Sequence, residues 1–202
     1  MQPTSIDVIA SALGPAPPDL GEFSSPDGAL TLLLTDIENA AAIQEQLGGE
    51  RWSDLLRDHR TILERIVEHH DGNLVKSESD GHMIAFSSAH GGLRCAIELQ
   101  RTFAGRPLTA LGAPLAIRSG LHTGFVIVNA EDFFGRNVVL AARIADRAAG
   151  GEILISDALR EYTETDPTFH VTLRGEFHFK GMLGEYKVYT VAWADGGDGQ
   201  LD

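Results

Sequence analysis

Between residues 29 and 87 the hydrophobic period of the chain changes twice, and that succession limits the folds open to it. ALTLLLTDI (29–37) is an apolar run of strand length. GERWSDLLRDHRTILERIVEHH (49–70) then sets Trp52, Leu55, Leu56, Ile62, Leu63, Ile66 and Val67 on one face at helical spacing. Asp71-Gly72 turns the chain into a strand over 73–78, residues 79–81 turn it back, and 82–87 make the second arm of a hairpin. AHGGLRCAIELQRTFAG is a second helix with Leu93, Ile97 and Phe103 inward, and 115–129 reads as one long strand or a pair around Gly120 and Gly124. The order βαββαβ predicts an α+β fold: a ferredoxin-like core, with antiparallel hairpins and helices on one face. A C-terminal extension follows. It comprises a third helix stopped by the pair Gly150-Gly151, the strand EILIS, a short helix from Asp157, and strands near 169–179 and 185–193.

The core is predicted to occupy 29–194 as one domain. Pro3, Pro15, Pro17, Pro18 and Pro26 mark residues 1–28 as an arm or linker, within which SIDVIASAL can form a short helix; 195–202 are an acidic, Gly-rich tail. A net charge of −13 repels nucleic acid and anionic membrane, and the sequence contains no basic cluster to offset it, so neither is an expected partner. With no basic n-region, no apolar run of membrane length and the single cysteine Cys95 in a helical pattern, the expected setting is the cytoplasm. Cys95 reads as a small buried hydrophobe.

Several common chemistries have no counterpart in the sequence. It contains no P-loop, no GxGxxG between strand and helix, no zinc spacing among its eight histidines and no nucleophile elbow. His69-His70 suits a helix end, where imidazole meets the negative end of the dipole. What remains is acidic. Asp36 ends the first strand and Asp80 lies in the hairpin turn, so a βαββ unit can bring the two carboxylates to one edge. Singly, Asp36 suits a helix N-cap and Asp80 a turn. Together, with a backbone carbonyl between them, they form a hard-oxygen site suited to Mg²⁺ or Mn²⁺, and two such ions could bridge a phosphate chain.

Five motifs in order, covering about residues 30–192, resemble the catalytic domain of class III nucleotidyl cyclases, the adenylate and guanylate cyclases. LLLTDIENAAAIQEQLG resembles the family's F-x-D-I-x-x-[FS]-T opening, LVKSESDGHMIAF its V-K-x-x-G-D hairpin, and IRSGLHTGFV its R-x-G-[IL]-H-x-G strand. DFFGRNVVLAARIADRAAGGEILIS resembles D-[YF]-x-G-x-x-V-N-x-A-[AS]-R with its following strand, and FKG (179–181) the late K-G. The resemblance implies that Asp36, the Ile37 carbonyl and Asp80 hold two Mg²⁺ or Mn²⁺ ions. It implies that Lys76 and Asp132 read adenine, that Arg143 stabilises charge at phosphorus, and that Lys180 contacts phosphate. It further implies ATP as substrate, cyclic AMP and pyrophosphate as products, and a homodimer whose two sites each draw on both chains.

The sequence departs from the family pattern at three places. Val139 stands where the family has an asparagine that orients the ribose, and Asn137 is two residues, or about 200°, round the helix from it. Ser79 replaces a glycine at a turn position that favours φ > 0. ENAA follows Asp36 in place of the usual continuation, so Asn39–Ala41 shape a different helix start. These departures leave two readings: an adenylate cyclase slowed by the loss at Val139, or a degenerate relative that acts as a nucleotide-binding or regulatory module.

Overall fold

The computed structural model describes residues 4–11, 28–105, 113–125 and 131–194, apart from the side chains of Asp7 and of 131–134. The segments 12–27, 126–129 and 195–202, read above as linker, strand end and tail, lie outside the described residues.

Strand β1 (Ala29–Ile37) is buried at every position and pairs antiparallel with β3 (Gly81–Phe86) on one side and β4 (Ile117–Phe125) on the other. Its side chains alternate between two apolar layers. Leu33 and Ile37 face a core closed by α3 (Gly49–His69) and α4 (Ala89–Gly105), where Leu55, Leu63, Ile66, Leu93 and Phe103 are buried. Leu30, Leu32 and Leu34 face a second cluster on the opposite side. That is why the segment reads as a continuous apolar run rather than an alternation. Leu56, Ile62 and Ile97, expected inward, pack half-buried at the margin of the first core.

The sheet order is β2-β3-β1-β4-β5-β7-β6, with β2 (Asn73–Glu78) at one edge. The first four strands with α3 and α4 are the expected βαββαβ core, helices on one face. The extension continues the same sheet: β5 (Ile153–Ser156) runs parallel to β4, then come β7 (Tyr186–Val191) and β6 (Val171–Phe177), with α6 (Asp157–Thr163) between β5 and β6 in the chain. The β4–β5 crossover is α5 (Glu131–Ala145), which covers the second face. Gly120 makes that packing possible, because a Cβ there would stand 2.3 Å from the backbone nitrogen of Ala145.

Two local features differ from the sequence-based expectation. Helix α5 stops at Ala145, before the glycine pair, because Arg147 and Ala148 donate to carbonyls three residues back and tighten the last turn. The N-terminal segment does form a helix, α1 (Ser5–Ser11), and it is not a free arm. Ile6 and Ile9 are fully buried in the second cluster, against β1, β3 and α5. The reading of Cys95 holds: it is fully buried, and burial pushes its thiol well up. His70, at the end of α3, meets Glu98 at 2.8 Å.

Ser79 adopts φ 54°, the left-handed conformation that its position in the hairpin implied. For a residue with a Cβ this costs about 1–2 kcal/mol, part of which glycine recovers. Ser79→Gly is therefore expected to raise the melting temperature by about 2–4 °C, read by thermal melting. A lower melting temperature would show that the serine is not strained.

Candidate active site

Asp36 is the next-to-last residue of β1 and Asp80 lies in the turn between β2 and β3. Because β3 pairs with β1 from Thr35↔His82 onward, the two carboxylates converge at one end of the sheet. They are 2% and 3% exposed. Ile37, whose carbonyl is the expected third ligand, donates its amide to Asp80 Oδ2 at 3.0 Å and so holds that carboxylate against the end of β1. A cavity of about 320 Å³ opens over the pair, lined also by Asn39, Ala40, Ser79 and Arg118. Asn39 takes a left-handed conformation (φ 57°) and starts α2 (Ala40–Leu47) over this cavity without a side-chain cap bond.

Arg118 plays a part that sequence reasoning did not assign. It faces Asp36 across the β1–β4 ladder and clamps it at both oxygens, Nε to Oδ1 at 2.5 Å and Nη2 to Oδ2 at 2.7 Å. Burial raises the Asp36 carboxyl above its ordinary value, and the neighbouring Asp80 charge adds to the rise against the pull of Arg118. The Asp36 bond in turn raises the Arg118 guanidinium. The available signal was an arginine between apolar neighbours at the start of a strand, Ile117 before it and Leu121 beyond, in a motif already quoted. Its partner could be found only from the register.

The other expected residues lie elsewhere. Lys76 is half-buried on the outer strand β2, next to an irregularity in its pairing with β3. Asp132 belongs to the first turn of α5, and its side chain lies outside the described residues. Arg143, near the end of α5, pairs with Asp146 at 3.2 Å. Val139 is half-buried one turn before it. Lys180 is exposed after β6, beside Phe179, which packs beneath α5 with Leu140 and Ile144. Among the described residues, none of Lys76, Val139, Arg143 and Lys180 lines the cavity over Asp36 and Asp80.

Asn137, the amide nearest in sequence to Val139, is committed to the sheet. It bonds His122 Nε2 at 3.1 Å and the Phe125 carbonyl at 3.3 Å, as its turn of the helix required. His122 bonds Ser156 through its other nitrogen at 2.9 Å and so joins β4, α5 and the end of β5.

The donor chemistry of the Asp36–Asp80 edge suits a divalent cation. Two buried carboxylates share the edge, Asp146 adds negative potential, and the Arg118 guanidinium pairs with Asp36. A second cluster with ligand chemistry, His69, His70 and Glu98, brings its ligand atoms within 4.8 Å of one another. There His70 and Glu98 already satisfy each other, and Arg94 and Arg101 share their cavity.

Residues 24–192 match the family described as the adenylate and guanylate cyclase catalytic domain. The chain is 33% identical over 134 residues to an uncharacterized protein of Mycobacterium tuberculosis, covering 66% of this chain and 44% of that one. It is 27% identical over 204 residues to an adenylate cyclase of Mycosarcoma maydis, covering 89% of this chain and 7% of that one. The chain thus spans less than half the length of these curated relatives. Its fold resembles the structure of adenylate cyclases from Trypanosoma brucei in their monomeric state, with a TM-score of 0.73 at 21% identity, covering 92% of this chain and 96% of that one. Among the described residues no helix is long and apolar enough to cross a membrane. A seven-stranded sheet of this topology, with the family's motifs along 24–192, makes this chain a member of the class III nucleotidyl cyclases, in the adenylate and guanylate cyclase catalytic domain family.

Proposed function

We propose that the chain is an adenylate cyclase that converts ATP to 3′,5′-cyclic AMP and pyrophosphate at the interface of a homodimer. The observation that carries this reading is the buried carboxylate pair Asp36–Asp80 at the mouth of a cavity. Asp36, Asp80 and the Ile37 carbonyl would hold two Mg²⁺ or Mn²⁺ ions, which when bound neutralise the triphosphate and acidify the ribose 3′-hydroxyl. In the reaction the 3′-oxygen forms a bond to the α-phosphorus, the bond from that phosphorus to the bridging oxygen breaks, and pyrophosphate leaves with the electron pair. The 3′ proton passes to solvent.

The remaining roles fall to side chains outside the cavity. Lys76 donates to adenine N1 and Asp132 accepts from the 6-amino group; guanine, with a donor at N1 and an acceptor at O6, is disfavoured by the same pair. Arg143 donates to the α-phosphate as charge builds there, and Lys180 contacts the phosphate chain. That Lys76, Arg143 and Lys180 are not among the described residues lining their own chain's carboxylate cavity favours their reaching the nucleotide from a second copy. Val139 offers no hydrogen bond to the sugar, so turnover is expected to be slow, by about 10²-fold. Val139, which leaves the ribose position without a hydrogen-bonding side chain, favours the second reading, a degenerate relative acting as a nucleotide-binding or regulatory module.

Purified protein incubated with ATP, GTP, CTP or UTP and Mn²⁺ or Mg²⁺, with cyclic products separated, decides between the two. Cyclic AMP as the main product is expected. No cyclic product with any nucleotide supports the regulatory module, and GTP cyclised as fast as ATP removes the base-reading role of Lys76 and Asp132. Mixing inactive Asp80→Asn and Arg143→Ala chains should restore about a quarter of wild-type activity, since half the dimers are mixed and each has one intact site of two. No recovery despite subunit exchange would put each site within one chain.

A further inference from the structure

The N-terminal helix stands in the site. Ser5 and Thr4 line the same cavity as Asp36 and Asp80, and Ser5 Oγ donates to Asp80 Oδ1 at 2.5 Å. The other oxygen of Asp80 accepts from the Ile37 amide, and both oxygens of Asp36 are held by Arg118. Every oxygen of the carboxylate pair therefore has a donor from its own chain. The same end of α1 also reaches the arginine, for Thr4 Oγ1 bonds Asp146 Oδ1 at 3.4 Å and Asp146 Oδ2 accepts from Arg143.

We propose that α1 is an intramolecular plug: its docked form and the metal-loaded form of Asp80 exclude each other, and the cyclase turns over only with α1 lifted. This rests on the reading of Asp36 and Asp80 as metal ligands. A cation bound to Asp80 with its hydration and a triphosphate needs the space where Ser5 stands, and a hydroxyl 2.5 Å from Oδ1 leaves none. The plug is held by Ile6 and Ile9 against Leu30, Leu32, Leu34 and Met83. Seven residues are too few for a helix to persist alone in water, so docking and helix formation are one equilibrium that a competitor at Asp80 can shift. Gly81 is what lets α1 approach, since a Cβ there would lie 2.6 Å from Ser5 Cβ and 3.1 Å from the Ser5 backbone carbon. An alanine at 81 is therefore a wedge that leaves both carboxylates in place.

The test uses the full chain, with Mn²⁺ alone and Mn²⁺ with 3′-deoxy-ATP, which cannot cyclise. Hydrogen exchange of the α1 amides, Val8 among them, should speed up tenfold or more as Mn²⁺ and the nucleotide saturate. If α1 is docked in nine molecules of ten, Gly81→Ala and Ile6→Asp should each raise apparent Mn²⁺ affinity by about tenfold, together with turnover at limiting Mn²⁺. Should Ile6→Asp fail to fold, Gly81→Ala and the wild-type exchange still decide. If Mn²⁺ binds, Asp80→Asn abolishes that binding, and α1 stays protected throughout, the plug is wrong and the metal site stands. If Mn²⁺ binds neither wild type nor Gly81→Ala, the metal site falls and the plug with it.

Discussion

Asp80→Asn is expected to lower cyclic nucleotide formation by 10³-fold or more while the melting temperature stays within a few degrees of wild type. The amide keeps an oxygen to accept from Ile37 and a shape that fits the turn, but it is a poor ligand for a hard cation. Asp36→Asn should cost as much activity and also stability, because it leaves the Arg118 guanidinium, with 17% of its side chain exposed, without its ion partner. Breaking one side of such a pair costs about 3–5 kcal/mol, or roughly 10 °C in a domain of this size. Replacing both partners, Asp36→Asn with Arg118→Met, should recover much of that stability and none of the turnover. Product assay and thermal melting on the three proteins separate the two roles of Asp36. Metal-dependent turnover that survived in Asp80→Asn would end the two-carboxylate mechanism.

The second large effect is acid instability. His59 is fully buried in α3, stacked between His82 at 5.3 Å and Phe103 at 4.8 Å, and neither of its ring nitrogens has a hydrogen-bond partner among the described residues. Burial pushes its imidazole down to about 3, and pushes those of His82 and His122 down to about 4. All three are neutral in the folded chain at pH 7 and remain so well below it. In the unfolded chain they take up protons near the ordinary value of 6.5, so folding is favoured above that pH and progressively less so below it. Each histidine removes about 1.4 kcal/mol per pH unit. Between pH 6.5 and 4 the three together cost roughly 10 kcal/mol, against a typical total of about 5–15.

Denaturant unfolding should therefore show stability falling steeply between pH 6.5 and 5, above the range in which ordinary carboxylates titrate. His59→Phe should flatten that slope by about a third and, by removing two unpaired buried nitrogens, raise stability at pH 7 by about 1–3 kcal/mol. A stability flat from pH 7 to 5 in the wild type would contradict the burial of these rings.

The hydrophobic periods alone determined most of the secondary structure, because periodicity is a property of residues a few positions apart. The apolar run at 29–37, the long amphipathic helix at 49–69 and the hairpin beyond it could each be read without knowing their neighbours. The same holds for Ser79, whose left-handed backbone follows from its place in a tight turn, and for Asn137, whose distance from the sugar position follows from helix geometry. The meeting of Asp36 and Asp80 was also legible, since a strand and a hairpin in a βαββ unit have few ways to pair.

Tertiary structure decided the rest. Arg118 finds Asp36 across 82 residues only because the β1–β4 register places them opposite each other, and a shift of one residue would send every side chain to the other face. His59 lies on the apolar face of its helix as a polar residue, and only the assembled core shows it enclosed by His82 and Phe103. The N-terminal segment read as part of an arm because five prolines, with glycine and serine between them, punctuate residues 1–28. It became part of the second core, and a cover on the carboxylates, because the sheet left that face open for Ile6 and Ile9 beside the edge of α5. Local sequence carries the period of an element. Which apolar face is left uncovered, and what lies across the sheet from a charge, are settled only when distant segments meet.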